Sequence, residues 1–165
     1  MTFKARITDE AREIRDKGNN PKPKEGEIMS SEARAGEQAR QAVTPYLCVK
    51  DSAAAIEFYR RAFQATELTS IPMPDGRIGH AEIKIGNATI MMADEYPEIK
   101  FLSPQSLGGS AVMIHVYVDD VDALARQAVS AGATLARPVA DQDYGDRNCK
   151  IEDPFGHVWL FATAR

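Results

Sequence analysis

Val49-Lys50-Asp51, followed by the run Ala53 to Phe63 and then Ala65-Thr66, returns 69 residues later as Val118-Asp119-Asp120, Asp122 to Ala131 and Ala133-Thr134. The identities are few, but the order of segment types repeats: apolar strand, acidic turn, amphipathic helix, Ala-Thr, then more strands. Self-similarity at a fixed spacing decides the fold before any local detail does. Units of about 60 residues are too long for solenoid repeats and too small for comfortable separate domains. The reading is therefore two halves that share one core, with any site between them.

Outward from these stretches, Thr44 to Val49 alternates and is rich in β-formers, so it is a strand. Ser52 is the expected N-cap of a helix from Ala53 to Phe63, with Ile56, Tyr59 and Phe63 on one face. Strands follow at Glu67 to Met73 and Ile78 to Ile85, joined by the turn Pro74-Asp75-Gly76. Gly86-Asn87 is a two-residue hairpin leading into Ala88 to Asp94. The second half opens with Ala111 to Val118. Asp120 caps a helix through Ala131, which Gly132 ends. Strands at Thr134 to Ala136, Arg147 to Glu152 and Val158 to Ala162 complete it. The fold class is α+β, with two tandem βαβββ modules, 43–94 and 111–165, forming a curved mixed sheet with a cleft. Glu95 to Ser110, holding Pro97, Pro104 and Gly108-Gly109, reads either as a plain crossover or as a lid.

Residues 1–42 differ from the rest. Nine Lys/Arg against eight Asp/Glu give them a net charge of +1, so the remainder carries −5 of the overall −4. Pro21, Pro23 and Gly26 among charges read as a linker, and the segment is expected to be a flexible extension or a dimer-clasping arm. The acidic balance argues against nucleic acid, which needs a clustered basic face. No apolar run approaches a membrane span, and no secretory signal is apparent. Cys48 and Cys149, with no CxxC spacing, imply neither a disulfide framework nor structural zinc. A cytoplasmic protein is the expectation.

Several stretches resemble the vicinal-oxygen-chelate superfamily of glyoxalase I, bleomycin-resistance proteins and extradiol dioxygenases, nearest its PhnB-like branch. They are Val43 to Leu47, Ala55 to Tyr59, Ile78 to Ile83, Ile90 to Asp94, Tyr144 to Arg147 and Asp153 to Trp159. Gln64 departs from the branch, which usually has glycine there. The resemblance implies a homodimer and, in metal-using members, four ligands on four strands. Carried over, these fall at Thr44, Met91, Met113 and Leu160. None is the His, Glu or Asp that a hard or borderline divalent ion takes, so no metal cofactor is expected.

Strand alternation places other residues on the same faces. Tyr46 and Cys48 follow Thr44; His115 and Tyr117 follow Met113. Across the Gly86-Asn87 hairpin, Glu82 opposes Met91 and His80 opposes Ala93. With Pro154-Phe155 as the centre of the next turn, Cys149 opposes Leu160 and Arg147 opposes Ala162. The expected ligand-binding set is Tyr46, Met91, Met113, His115, Tyr117, Arg147 and Leu160, an apolar wall with a few polar groups. His80 and Glu82 are the candidate catalytic pair. They read equally as an ordinary surface hydrogen bond, or with His115 as a shifted metal site. Arg147 reads as an anion clamp or as the partner of a nearby acid. Trp159, Phe161 and His157 turn toward the helices. The leading expectation is a binder of a small organic molecule. A lyase, isomerase or dioxygenase-type enzyme is the alternative, and a purely partner-binding dimer a third reading.

Overall fold

The computed structural model describes residues 41–165, so the expected extension 1–42, apart from Gln41 and Ala42, lies outside the described residues. The order of elements is β1 (Tyr46–Val49), α1 (Ser52–Phe63), β2 (Thr66–Pro72), β3 (Ile78–Ile85) and β4 (Ala88–Asp94). A short 3-10 turn (Pro97–Ile99) and α2 (Pro104–Leu107) cross to the second module. That module is β5 (Met113–Tyr117), α3 (Val121–Ala131), β6 (Thr134–Asp141), β7 (Asp146–Glu152) and β8 (Val158–Ala164). Each module is the βαβββ unit that the repeat predicts. They form two four-stranded sheets, β1-β4-β3-β2 and β5-β8-β7-β6, with β1 on β4 and β5 on β8 parallel and the other pairs antiparallel.

The repeat extends to the caps. Asp51 accepts a hydrogen bond from Ala54 N at 2.9 Å, and Asp120 accepts from Ala123 N at 2.9 Å. Asp51, not the expected Ser52, is therefore the N-cap, and Ser52 is the first residue of the helix, fully buried. An aspartate reaches N3 as well as serine does, and 69 residues separate the two. At the other ends of α1 and α3, Gln64 (φ 56°) and Gly132 (φ 113°) are both left-handed.

One core lies under both helices. Tyr59 and Phe63 of α1 meet Trp159 of β8 at ring-centroid distances of 5.5 and 5.0 Å, and Phe63 meets Phe161 at 4.8 Å. Trp159 and Phe161 are fully buried, as alternation predicts. Asp153 locks this junction: Oδ2 accepts from the Tyr59 hydroxyl (2.7 Å) and Trp159 Nε1 (2.8 Å), while Oδ1 accepts from the N–H groups of Phe155 and His157. Burial, the Asp153 charge and that hydrogen bond hold the Tyr59 phenol well above its usual range. His157 Nε2 donates to the Cys48 carbonyl at 3.0 Å, tying the second module to β1. The side of each sheet turned away from the helices stays open. Tyr46, Met113 and Tyr117 are 46, 58 and 60% exposed there.

Candidate functional site

The Gly86-Asn87 hairpin pairs Ile85 with Ala88, which fixes Glu82 opposite Met91, and β1 then sets Tyr46 beside Met91. The open face of the first sheet thus gathers Tyr46, His80, Glu82 and Met91 as expected. The Tyr46 hydroxyl lies 2.9 Å from His80 Nδ1, and His80 Nε2 lies 3.2 Å from Glu82 Oε1. An ionised carboxylate only accepts, so Nε2 carries the proton and Nδ1 accepts from the phenol. Burial, then Tyr96 and the Glu82 charge, raise the Tyr46 pKa and keep that hydroxyl a donor.

Beside this row is a groove of about 560 Å³ walled by Tyr46, Met73, His80, Tyr96, Ile99 and Phe101. Its floor includes Gly79, where a Cβ would come within 2.7 Å of the Met73 sulfur. Its outer wall is the segment between the modules, a folded piece of chain with its own ties. Tyr96 and Phe101 pair with each other, and Glu95 accepts from Ser103 N at 2.7 Å. Hydrogen bonds from Ser103 and Ser106 bring the Glu95 carboxyl down to about 2. Arg77 clamps this wall to the β2–β3 turn. Its guanidinium carbon sits 3.9 Å over the Tyr96 ring while its nitrogens reach Asp75, Glu98 and the Glu95 carbonyl. The Tyr96 hydroxyl is buried with no partner among the described residues. Strand alternation predicts neither Tyr96 nor Phe101 for a site, because both lie in the segment between the modules. Two aromatics bracketing a Pro-containing turn were the available signal.

The second sheet departs from the expected register. The β7–β8 turn closes with Asp153 N donating to the His157 carbonyl across three intervening residues, with Gly156 left-handed (φ 86°). A two-residue turn centred on Pro154-Phe155 places the pairing one residue off. Cys149 therefore opposes Phe161, and Arg147 opposes Thr163. One step of register turns each side chain over. Arg147 and Cys149 accordingly face the helices, not the cleft. Arg147 donates to both carboxylate oxygens of Asp122 (2.6 and 2.8 Å) and to Asp141 (2.8 Å), which lowers both carboxyl pKa values. Arg147 is thus the partner of nearby acids. Cys149 is fully buried, and burial raises its thiol. Cys48 is buried too; burial, then Glu95 and Asp94, push it up to about 11, far from a reactive thiolate.

Met113, His115, Tyr117 and Leu160 share the open face of the second sheet, with His115 beside Leu160 and the Tyr117 hydroxyl donating to Asp146 at 2.9 Å. That hydrogen bond and the Asp146 charge raise the Tyr117 pKa. Among the described residues His115 does not complete a metal-holding group with His80 and Glu82. Among the described residues no three His, Cys, Asp or Glu side chains converge as a metal cage. Thr44, Met91, Met113 and Leu160 supply no carboxylate or imidazole, so the residues present do not fit the family's divalent ion. Among the described residues no helix is long and apolar enough to cross a membrane.

Comparison with known proteins agrees with the architecture. The uncharacterized protein Mb0911c of Mycobacterium bovis is 46% identical over 121 residues, covering 72% of this chain and 80% of its own length. TioX from Micromonospora sp. ML1 superposes with a TM-score of 0.60 at 25% identity, covering 76% of this chain and 97% of that one. A Bacillus cereus structure described as a putative 3-demethylubiquinone-9 3-methyltransferase, PhnB protein, superposes at 0.58 with 18% identity over 75% of this chain and 100% of its own, a likeness of fold. Residues 40–161 match the family model, and with the paired βαβββ modules they establish that this chain belongs to the Glyoxalase/Bleomycin resistance protein/Dioxygenase superfamily.

Proposed function

We propose that the protein binds a small organic molecule on the open faces of its sheets, without the family metal, and that the groove of the first module is its principal seat. The observation that carries this reading is the groove itself, an aromatic and thioether wall containing a buried Tyr96 hydroxyl with no partner among the described residues. An apolar hollow with a few aimed polar groups is the usual form of a small-molecule site, and a ligand acceptor would satisfy Tyr96. The vacant donor chemistry at Thr44, Met91, Met113 and Leu160 supports the metal-free part. Metal analysis of protein purified without chelator should find far less than one equivalent of nickel, zinc or iron; a stoichiometric ion overturns that part. In a thermal-shift screen of metabolites and antibiotics, a ligand at 100 times its Kd adds about 2.7 kcal/mol of stability. Phe101→Ala should erase that gain; a gain left intact moves the site elsewhere.

A homodimer completes this reading. The family resemblance implies it, and Ile71, Val112, Met113 and Tyr117, half to two-thirds exposed, are apolar side chains that an interface could bury. Light scattering should give twice the chain mass at micromolar concentration, and a monomer contradicts it. Within the family the stretches quoted above are most similar to the PhnB-like branch, and two buried free cysteines fit a cytoplasmic home.

One observation favours a second reading, an enzyme that moves a proton: the hydrogen-bonded row Tyr46–His80–Glu82. Such a row can pass a proton between the groove and Glu82. On any compound that the protein turns over, His80→Ala should abolish turnover with unchanged melting; unchanged turnover removes His80 from the mechanism.

A further inference from the structure

Register draws a row across the second sheet: Arg137 on β6 opposes Lys150 on β7, Lys150 opposes Leu160 on β8, and Leu160 neighbours His115 on β5. The matching row of the first sheet is Thr69, Glu82, Met91 and Tyr46. Where one module carries an acid, the other carries two cations side by side. Like charges directly opposite on a sheet repel, and among the described residues neither Arg137 nor Lys150 has a carboxylate within 4.0 Å. Arg147, three residues before Lys150 on β7 and on the opposite face, has two.

The pair is also held in place. Arg137 Nη2 donates to Asn148 Oδ1 at 2.6 Å, and Asn148 Nδ2 donates to the Tyr144 hydroxyl oxygen at 2.8 Å. Asn148 is 1% exposed, so its amide is a buried bracket that fixes the guanidinium over β7. The remaining Arg137 N–H groups, the Lys150 ammonium and the Tyr144 O–H are left as donors. The acids on the same face, Asp146 and Glu152, lie toward the ends of β7, and Asp146 already accepts from Tyr117.

We propose that Arg137 and Lys150, bracketed by Asn148 and Tyr144, form an anion seat on the open face of the second sheet for a small organic carboxylate, phosphate or phosphonate. The fork of an arginine suits such oxygens, and Leu160 and Met113 offer an apolar bed for the rest of the molecule. This rests on the proposal that the open faces bind a small molecule, and it adds the class of molecule that the face of the second sheet takes.

The test uses the full chain and three probes of one shape: benzoate, phenylphosphonate and neutral benzyl alcohol, titrated by thermal shift and by NMR. Either anion should bind saturably, at least about tenfold more tightly than the alcohol, as expected for a charge-assisted contact. Benzoate against phenylphosphonate then separates planar from tetrahedral anions. The double variant Arg137→Gln, Lys150→Met should lose the preference, and Arg147→Gln should keep it. Without any ligand, Lys150→Met alone should melt about 1–3 °C higher, because the repulsion is gone. Anions binding no better than benzyl alcohol, or a preference that survives the double variant, overturns the inference. So does an anion response that emerges only in Glu82→Gln, since Glu82 of a second copy would then be the partner of Lys150. Alcohol binding without anion preference leaves the small-molecule reading standing. An anion preference with Phe101→Ala silent removes only the first-module groove.

Discussion

Asp153 accepts four hydrogen bonds on two carboxylate oxygens: the Tyr59 hydroxyl, the Trp159 indole N–H, and the N–H groups of Phe155 and His157. It is 4% exposed. The Asp153-Pro-Phe-Gly stretch reads as a turn, and it is one, but the same carboxylate also ties α1 to β8. A side chain's long-range partner has no local signature, which is why that half stayed hidden. Asp153→Asn turns one acceptor oxygen into an NH₂ facing two donors. Leaving buried polar groups so mismatched costs about 3 kcal/mol. Urea unfolding followed by emission of the single tryptophan, Trp159, should show the midpoint falling accordingly. An unchanged midpoint would mean that the junction rests on ring packing alone.

Hairpins decide what is legible at the scale of elements. Gly86-Asn87 fixed the first register, and with it the grouping of Tyr46, His80, Glu82 and Met91. The β7–β8 turn holds three residues between Asp153 and His157, and counting two put Arg147 and Cys149 on the wrong face while hiding Lys150 and Asn148. Period-two alternation converts one residue of turn length into a complete exchange of faces. The C-terminal ends of the helices are more legible than the N-terminal cap of α1, where Asp51 stands in for the expected Ser52. Gln64 does adopt the left-handed conformation that its departure from glycine put in question (φ 56°), where a Cβ is disfavoured. Its side chain gives back one exposed bond, to Gln127 at 3.3 Å. Gln64→Gly should stabilise the protein by about 0.5–1 kcal/mol, since relief of strain outweighs the added freedom of the unfolded chain. Calorimetry checks this, and a lower melting temperature would mean that the Gln127 contact matters more than the backbone.

Charge and burial across the whole molecule set the range of pH in which it stays folded. On the acid side, Glu95 at about 2 and the lowered Asp122 and Asp141 are depressed by their partners in the fold. Their stabilisation is present above the ordinary carboxylate pKa and is lost as pH falls from about 4.5 toward 2. On the alkaline side the sign comes from raised pKa values. Cys48, at about 11, and Tyr59, held well above its usual range, keep their protons in the fold after the unfolded chain has released them. Stability is then lost as pH rises, from about 8.5 for the thiol and about 10 for the phenol, until the folded groups ionise. The melting temperature should therefore be level between about pH 5 and 8 and fall on both sides. Cys48→Ala removes one buried thiol and leaves Cys149 and Tyr59, whose pKa values are also raised, so the alkaline fall should begin at the same pH but be shallower between about pH 8.5 and 10. A fall just as steep in that variant would assign the alkaline limb to Cys149 and the phenols.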